Sequence, residues 1–429
     1  MPTETISFKE TGYFSPLVCD YIEESEILKD FYNNFPKIEN FKNQIDAKRA
    51  SFNQQSRHIL VESLKKQYEY IEASETTLNN IESLSQDNTY TITTGHQLNI
   101  FTGPLYFLYK IVSTINLAKQ LKETYPAYNF VPVYWMATED HDFEEINYFN
   151  FKGKKVRWHR NASGAVGALS TDGLDEVFNL FSKDLSAGKN AEFLRNLFND
   201  AYIKHDNLAD ATRFLTNKLF ADYGLVIIDA NDVKLKKEFA PFIQDELLNG
   251  KSFKSVSKTN LKINGLPNDY KIQVNPREIN LFYLNKNLRE RIIFENDKFS
   301  VLNTDISWSK DEILKEVEEN PEHFSPNVIM RPLYQEVILP NLCYIGGGGE
   351  LAYWFQLKDF FNEIKIPFPI LLLRNSVLIQ TNKQKEKRDE NKAIAIMLAE
   401  PAIIKRPLLD TGKKRHVGFS EGEYKQLFK

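Results

Sequence analysis

Between about Ser25 and Ser85 the chain is charged and free of glycine, and apolar residues recur at helical intervals: Ile59, Leu60, Leu64, Tyr68 and Ile71. That spacing predicts a helical N-terminal region over 1–88. At Thr89 the period changes. TYTITT is short and β-branched, GHQLNIFTG follows as a loop, and Pro104 stands where a first helical turn tolerates a missing amide. Leu108, Ile111, Val112, Ile115, Ala118 and Leu121 then repeat at three and four, one face of a helix lying on a sheet. NFVPVYWMAT reads as a second apolar strand, so 89–150 predicts a βαβ unit, the first part of a parallel core.

Further on, VRWHRNASGAVGALSTDG predicts an edge hairpin and a loop, and Leu174 to Tyr223 is helical again, with Phe178, Leu180, Phe181, Leu194, Leu197 and Phe198 as its apolar positions. Residues 151–223 therefore read as a largely helical insertion. GLVIIDAND is a buried strand that returns the chain to the core over 224–250, and the alternating YKIQVNPREINLFYL and RERIIFENDKFSVL predict a small β-rich insertion over 251–310. FSPNVIMRPLYQEVILP, CYIGGGGELAYWFQLKDFF and IPFPILLLRNSVLI bring a helix, a strand, a glycine loop opening a helix and a last strand, completing the core over 311–382. The predicted class is α/β.

Composition narrows the function classes. The 429 residues are 42% hydrophobic and 26% charged with a net charge of −4, which is ordinary for a globular chain and offers no global attraction to nucleic acid or an anionic membrane. Cys19 and Cys343 lie far apart and form no CxxC pair, so neither a disulfide framework nor a cysteine zinc site is indicated. The N-terminus MPTETISFKETGYF lacks the basic start and apolar run of a signal peptide, and apolar runs such as FPILLL are too short to span a bilayer. A cytoplasmic protein is expected.

Four segments carry candidate chemistry. The loop from Gly95 to Gly103 joins a strand end to a helix start, a place that favours an anionic group, and His96, Gln97, Asn99 and Thr102 add polar side chains to it. It matches neither G-x-G-x-x-G nor G-x-x-x-x-G-K-[ST], so a plain turn whose glycines only supply unusual backbone angles stays open. ATEDHDFEE ends the next strand; its Glu139, Asp140, His141, Asp142 and Glu144 offer a general base, a partner for an amine or oxygen ligands for magnesium, while one histidine falls short of a zinc set. SPNVIMRPLYQEVILP supplies Arg331, Gln335 and Glu336; the arginine suits a carboxylate or phosphate, with a surface salt bridge as the alternative. Gly346, Gly347, Gly348 and Gly349 before Glu350 imply close backbone approach, and the preceding Cys343 reads as a small buried hydrophobe.

Read together, TGHQLNIFTGPLYFLYK, PVYWMATEDHDFEEIN, SPNVIMRPLYQEVILP and YIGGGGELAYWFQLK closely resemble the bacillithiol biosynthesis cysteine-adding enzymes, the BshC family, in order from TGYFSPLVCDYI to PILLLRNSVLI. The resemblance implies a Rossmann-like parallel-sheet core with connecting-peptide insertions, and a reaction joining the cysteine carboxyl to the amine of glucosaminyl malate. It marks His96, Asp140 and His141, with Glu139, as catalytic candidates by position. Gly95, Gln97, Asn99, Thr102, Gly103, Asp142, Arg331, Gln335, Gly346 to Gly349 and Glu350 are the substrate-binding candidates. Carboxyl activation implies ATP, with magnesium as its companion; a carboxylate or His141 would take the amine proton, Arg331 would hold a substrate carboxylate, and the amides starting at Gly95 and Gly346 would cradle phosphate or an oxyanion. No resident metal set is expected.

The last segment departs from that pattern. IIKRPLLDTGKK and VGFSEGEY within 383–429 resemble the end of arsenate reductase or Spx-like proteins, where the BshC family continues into a helical coiled coil that supports its homodimer. Loss of that coiled coil puts the homodimer in question. Two other readings follow: a nucleotidyltransferase-like enzyme with another substrate, and a non-catalytic ligand-binding remnant.

Overall fold

The computed structural model describes residues 6–377 and two short strands beyond them, Leu408–Asp410 and Arg415–Val417, which pair antiparallel. The chain separates into two compact units. One joins 1–28, 266–271 and 375–429 and contains the helix Pro16–Ile22; the other comprises 29–265 and 272–374 and holds everything described below. The arsenate-reductase-like tail and the coiled-coil expectation lie almost entirely outside the described residues.

In the larger unit, helices Phe41–Ser51, Gln54–Gln67 and Glu75–Ser83 precede the first strand. Asn53 and Ser74 accept from the backbone N–H groups of Ser56 and Thr77, satisfying amides that helix starts leave unpaired. Arg57 is 2% exposed and donates to Leu84 O and Thr89 O, so this layer is tied to the point where the sheet begins.

The strands in chain order are β1 (Thr89–His96), β2 (Asn129–Met136), β3 (Tyr148–Phe151), β4 (Lys154–Arg157), β5 (Val226–Asp229), β6 (Leu281–Asn285), β7 (Leu288–Glu295), β8 (Lys298–Val301), β9 (Ser307–Trp308), β10 (Phe324–Pro326), β11 (Asn341–Gly346) and β12 (Ile370–Leu373). Five of them form one parallel sheet in the order β12-β11-β1-β2-β5. Numbered by appearance and read from the β5 edge, that is 3-2-1-4-5, a doubly wound Rossmann-like order whose direction reverses between β1 and β11. Ligands of such sheets sit beyond the carboxyl ends of the strands at that reversal. Every residue of β1 is buried, as expected for a strand covered on both faces. Tyr90, Ile92, Leu121, Leu342, Ile345 and Ile370 form part of the core around it.

The helix Tyr106–Thr124 crosses from β1 to β2 and buries Phe107, Lys110, Ile111, Thr114, Ile115, Ala118 and Leu121. The expected stripe was out of phase at one edge, because Val112 is 40% exposed and the charged Lys110 faces inward. The hairpin falls earlier than the sequence suggested, at β3 and β4, where Lys152 and Gly153 turn with φ 48° and 79°. Helices Leu174–Asp184, Lys189–Tyr202 and Leu208–Phe220 follow.

The β-rich reading of 251–310 needs correction. Lys251–Asn264 is a helix that buries Val256, Thr259, Asn260 and Ile263, a spacing of three and four that the charged residues between them obscure. The YKIQV segment joins no ladder; the N–H groups of Gln273 and Val274 instead donate to Gln356 Oε1. The antiparallel sheet has the order β10-β6-β7-β8-β9 and recruits β10 from beyond the predicted boundary. Among the described residues, no helix is long and apolar enough to cross a membrane.

Candidate functional site

The ends of β1, β2 and β11 bring three of the four candidate segments to one edge of the parallel sheet, and the helix Met330–Ile338 adds Arg331, in two neighbouring groups. The first group lies at the β1–β11 reversal. Gly95 and His96 are the last residues of β1 and Gly346 the last of β11, so Gly95 and Gly346 belong to strands rather than to anion-cradling loops. Their small size matters instead. A Cβ on Gly95 would stand 3.3 Å from Tyr344 Oη and 3.9 Å from Arg331 Nη1.

Glu350 occupies the start of the helix Gly348–Gln356, accepting from Gly347 N–H at 2.7 Å and from Tyr344 Oη at 2.7 Å. Lys110 pairs with it at 2.7 Å and also donates to Gly95 O, fastening the β1 end to the glycine loop. Burial pushes the Glu350 carboxyl up, but the Lys110 charge outweighs it and holds the group below the usual carboxylate range. The helix start therefore carries its own anion, and the N–H groups of Gly348 and Gly349 are the ones that stay open to a ligand.

Arg331 provides the positive charge there. Its Nη1 donates to Gln335 Oε1 at 3.1 Å and its Nη2 to Tyr353 Oη at 3.2 Å, and the guanidinium stands over the rings of Trp135 and Tyr344. All of these partners are neutral, and no carboxylate pairs with Arg331 among the described residues. The surface salt bridge is thereby replaced by a largely enclosed cation that lacks a counter-ion, the condition in which an anionic substrate group binds well. Gln335 is fully buried and its Nε2 donates to Glu336, so it orients the arginine from behind.

The second group lies beyond β2. Asp140 Oδ1 accepts from His141 N–H at 2.8 Å and Oδ2 from Gln97 Nε2 at 3.0 Å; Gln97 Nε2 also reaches Glu145 Oε2 at 2.8 Å. Burial raises the Asp140 pKa, but the hydrogen bonds from His141 and Gln97 win and hold it at about 2. His141 has two rivals for Nδ1: Arg289 Nη1 on β7 at 2.7 Å and Asp140 Oδ1 at 3.6 Å. A guanidinium only donates, so the Arg289 contact needs an unprotonated Nδ1, whereas the hydrogen bond to Asp140 raises the pKa of the ring above its ordinary value. Asp142, about half exposed, is raised by burial and by the charge of Asp140.

Glu139 is placed differently from the others. It forms a buried ion pair with Lys236 and accepts from Ser325 Oγ at 3.3 Å, while Lys236 donates to Phe324 O. These bonds anchor β2 to β10 and leave Glu139 poorly suited to proton transfer. Asp140, His141 and Asp142 place ligand atoms within 4.8 Å of one another, but both Asp140 oxygens are engaged and Arg289 faces the set. The donors do not fit a resident magnesium ion.

His96 lies between the groups, 8% exposed, its ring against Tyr106 and Phe107 and its Nε2 without a partner. Burial, with the charges of Lys110 and Arg374, depresses its pKa well below the usual range, so the ring is neutral. Phe101, Thr102 and Gly103 all have positive φ, of 49°, 68° and 57°. Phe101 fixes this strained turn by donating its N–H to Tyr202 Oη and packing its ring on Phe149, Phe181 and Phe198. Beside it opens a cavity of about 530 Å3 lined by Gln97, Asn99, Tyr106, Glu145, Tyr148 and neighbours.

Sequence reading missed Lys110, Arg289, Tyr344 and Tyr353. Lys110 had a signal, a lone cation on an apolar helical face; Arg289 had none, because it reaches the site from a separate sheet.

Comparison with known proteins follows the same lines. Residues 1–375 match the family described as "Bacillithiol biosynthesis BshC, N-terminal Rossmann-like domain", and residues 369–427 match the ArsC family. A relative in Flavobacterium johnsoniae is 61% identical over 390 residues, covering 91% of this chain and 73% of its own length. One in Flavobacterium psychrophilum is 57% identical over 426 residues, 98% of this chain and 79% of its own. One in Bacillus cereus strain B4264 is 30% identical over 398 residues, 88% and 70% respectively. All three carry the name "Putative cysteine ligase BshC".

Proposed function

The chain belongs to the BshC family of bacillithiol biosynthesis, and we propose that it is a ligase joining the carboxyl group of cysteine to the amine of glucosaminyl malate, acting in the cytoplasm. The observation that carries this reading is the pairing of an enclosed arginine without a counter-ion, Arg331, with a carboxylate cluster at the carboxyl edge of one parallel sheet. One group suits a substrate carboxylate, the other an amine.

Amide formation needs an activated carboxyl and a neutral amine. ATP supplies the activation when bound, by converting the carboxylate oxygen into a leaving group. The N–H groups of Gly348 and Gly349 would hold its phosphate charge, leaving Arg331 to the substrate carboxylate, and magnesium would enter with the nucleotide. As the C–N bond forms, the amine proton passes to Asp142, whose carboxyl is more basic than usual because of burial and the nearby Asp140. Asp140 itself, held ionised to about 2, is too weak a base and orients Gln97 and His141. With Nδ1 facing Arg289, His141 presents Nε2–H as a donor to charge developing on the carbonyl oxygen.

Mass spectrometry of the purified chain with cysteine, glucosaminyl malate, ATP and magnesium tests the reading. Bacillithiol is expected only when enzyme and ATP are both present. Folded protein that forms no product contradicts the proposal.

A further inference from the structure

Behind Arg331 a set of buried polar groups converges on one carboxylate. Arg331 Nη1 donates to Gln335 Oε1 at 3.1 Å; Gln335 Nε2 donates to Glu336 Oε1 at 3.1 Å, and Asn341 Nδ2 donates to the same oxygen at 2.6 Å. Asn341 Oδ1 accepts in turn from Thr93 Oγ1 at 2.8 Å and Thr91 Oγ1 at 3.3 Å, both on β1. The second carboxylate oxygen, Glu336 Oε2, pairs with Lys48 Nζ at 3.0 Å, from the helix Phe41–Ser51. Lys48, Gln335, Glu336 and Asn341 are each at most 1% exposed.

An amide side chain can present either its oxygen or its NH2 to a neighbour, whereas a carboxylate only accepts and a guanidinium only donates. Glu336 therefore decides the direction of Gln335: with Nε2 drawn to the carboxylate, Oε1 must face Arg331. Reversing the amide would set donor against donor in the core, a mismatch that costs more than the bond itself. Lys48 acts differently. Both of its hydrogen bonds go to Glu336, at O and Oε2, so it neutralises the carboxylate without reaching Gln335 or Arg331. A buried ion pair is no better a stabiliser than well-packed apolar residues of equal volume, so stability alone gives little reason for one here.

We propose that Glu336 is a positioning residue: it fixes the direction of the Gln335 amide and, through it, the Arg331 guanidinium that receives the substrate carboxylate. The receipt of a substrate rests on the ligase reading; the hold on the guanidinium does not. Substitution separates the parts played by Glu336 and Lys48. In Glu336→Gln the new amide oxygen is drawn to the Lys48 ammonium and its NH2 faces Gln335 and Asn341. Gln335 then turns over and presents Nε2 to a guanidinium that cannot accept. Lys48→Met leaves Glu336 accepting from Gln335. In the double variant no ammonium competes for the amide oxygen, which turns back to Gln335 and Asn341.

The test uses the full chain as wild type, Glu336→Gln, Lys48→Met and the double variant, each labelled with 15N-arginine; the Arg331 guanidinium signals are those lost in Arg331→Lys. Rotation of that group, read from NMR exchange broadening, should be slow in wild type and Lys48→Met and slow again in the double variant. In Glu336→Gln it should be about tenfold faster or more, the size expected for loss of one hydrogen bond to a charged group. Gln335→Met removes the link while leaving the ion pair intact and should loosen Arg331 to the same degree. The KM of the substrate that Arg331→Lys weakens should follow the same order, with kcat changing less. A purely structural pair gives a different pattern, in which Lys48→Met has both the lowest Tm and the loosest arginine. That pattern, or equal rotation in all the chains, overturns the proposal. The ligase reading fails separately. The expected rotation pattern without ligation keeps the positioning role and rejects the ligase, whereas ligation with an unchanged KM in Glu336→Gln keeps the ligase and rejects the role.

Discussion

At the scale of single residues, the account depends on charges whose partners are neutral. Arg331 is held by Gln335 and Tyr353 and faces no carboxylate among the described residues. Its replacement by lysine removes the planar fork and is expected to raise the KM for a carboxylate-bearing substrate about tenfold, with a smaller change in kcat; steady-state kinetics with each substrate varied in turn checks this. Asp140 gives a stability prediction. Its folded pKa of about 2 lies below the ordinary 3.8, so its contribution is complete above pH 3.8 and is lost as pH falls through the folded value. Asp140→Asn should therefore destabilise the protein by about 2 kcal/mol at pH 7 and flatten the acid limb between pH 4 and 2 in urea unfolding series. His141 has the opposite sign: its pKa is raised, so protonation begins above the ordinary 6.5 and exchanges Arg289 for Asp140. Activity should fall as pH drops through that value, and a His141→Gln variant should lack the step.

At the scale of elements, two contacts hold the site together. Lys110, on the helix after β1, grips both the β1 end and the capping carboxylate of the glycine-loop helix. Lys110→Met leaves Glu350 without its cation and is expected to cost about 3 kcal/mol, more than the double variant Lys110→Met with Glu350→Gln; thermal melts of the two decide it. Gly103 sustains a positive φ against Asn99, so Gly103→Ala should cost about 1–2 kcal/mol, read as a lower Tm in thermal melts. Here the limits of sequence reading are physical. Strand β1 and the helix after it were legible because burial on one face imposes a period, yet Lys110 reads as a defect in that period until Glu350 is seen beside it. Residues 251–264 misled because the helix buries Thr259 and Asn260 among its apolar positions, which weakens the helical signal.

At the scale of the whole molecule, the alternation of strands and helices was enough to indicate a parallel sheet, and the Gly95, Asp140 and Gly347 segments were legible as neighbours because each ends or follows a strand of that sheet. Arg289 and Lys236 were not. They reach the site from elements whose packing on the sheet edge is set by long-range contacts that leave no local pattern in sequence. The sheet reversal between β1 and β11 explains why residues as distant as Gly95 and Glu350 meet, and why an activating group and an amine would approach from adjacent strand ends. The central claim is that the cysteine carboxyl is activated with ATP and passed to the amine at this edge. Its most direct test supplies cysteine with both carboxyl oxygens labelled with 18O, together with glucosaminyl malate and ATP. The account predicts bacillithiol that retains one labelled oxygen, with the other in the phosphate or AMP released. Product formed without label in any ATP-derived phosphate, or product formed in the absence of ATP, would contradict it.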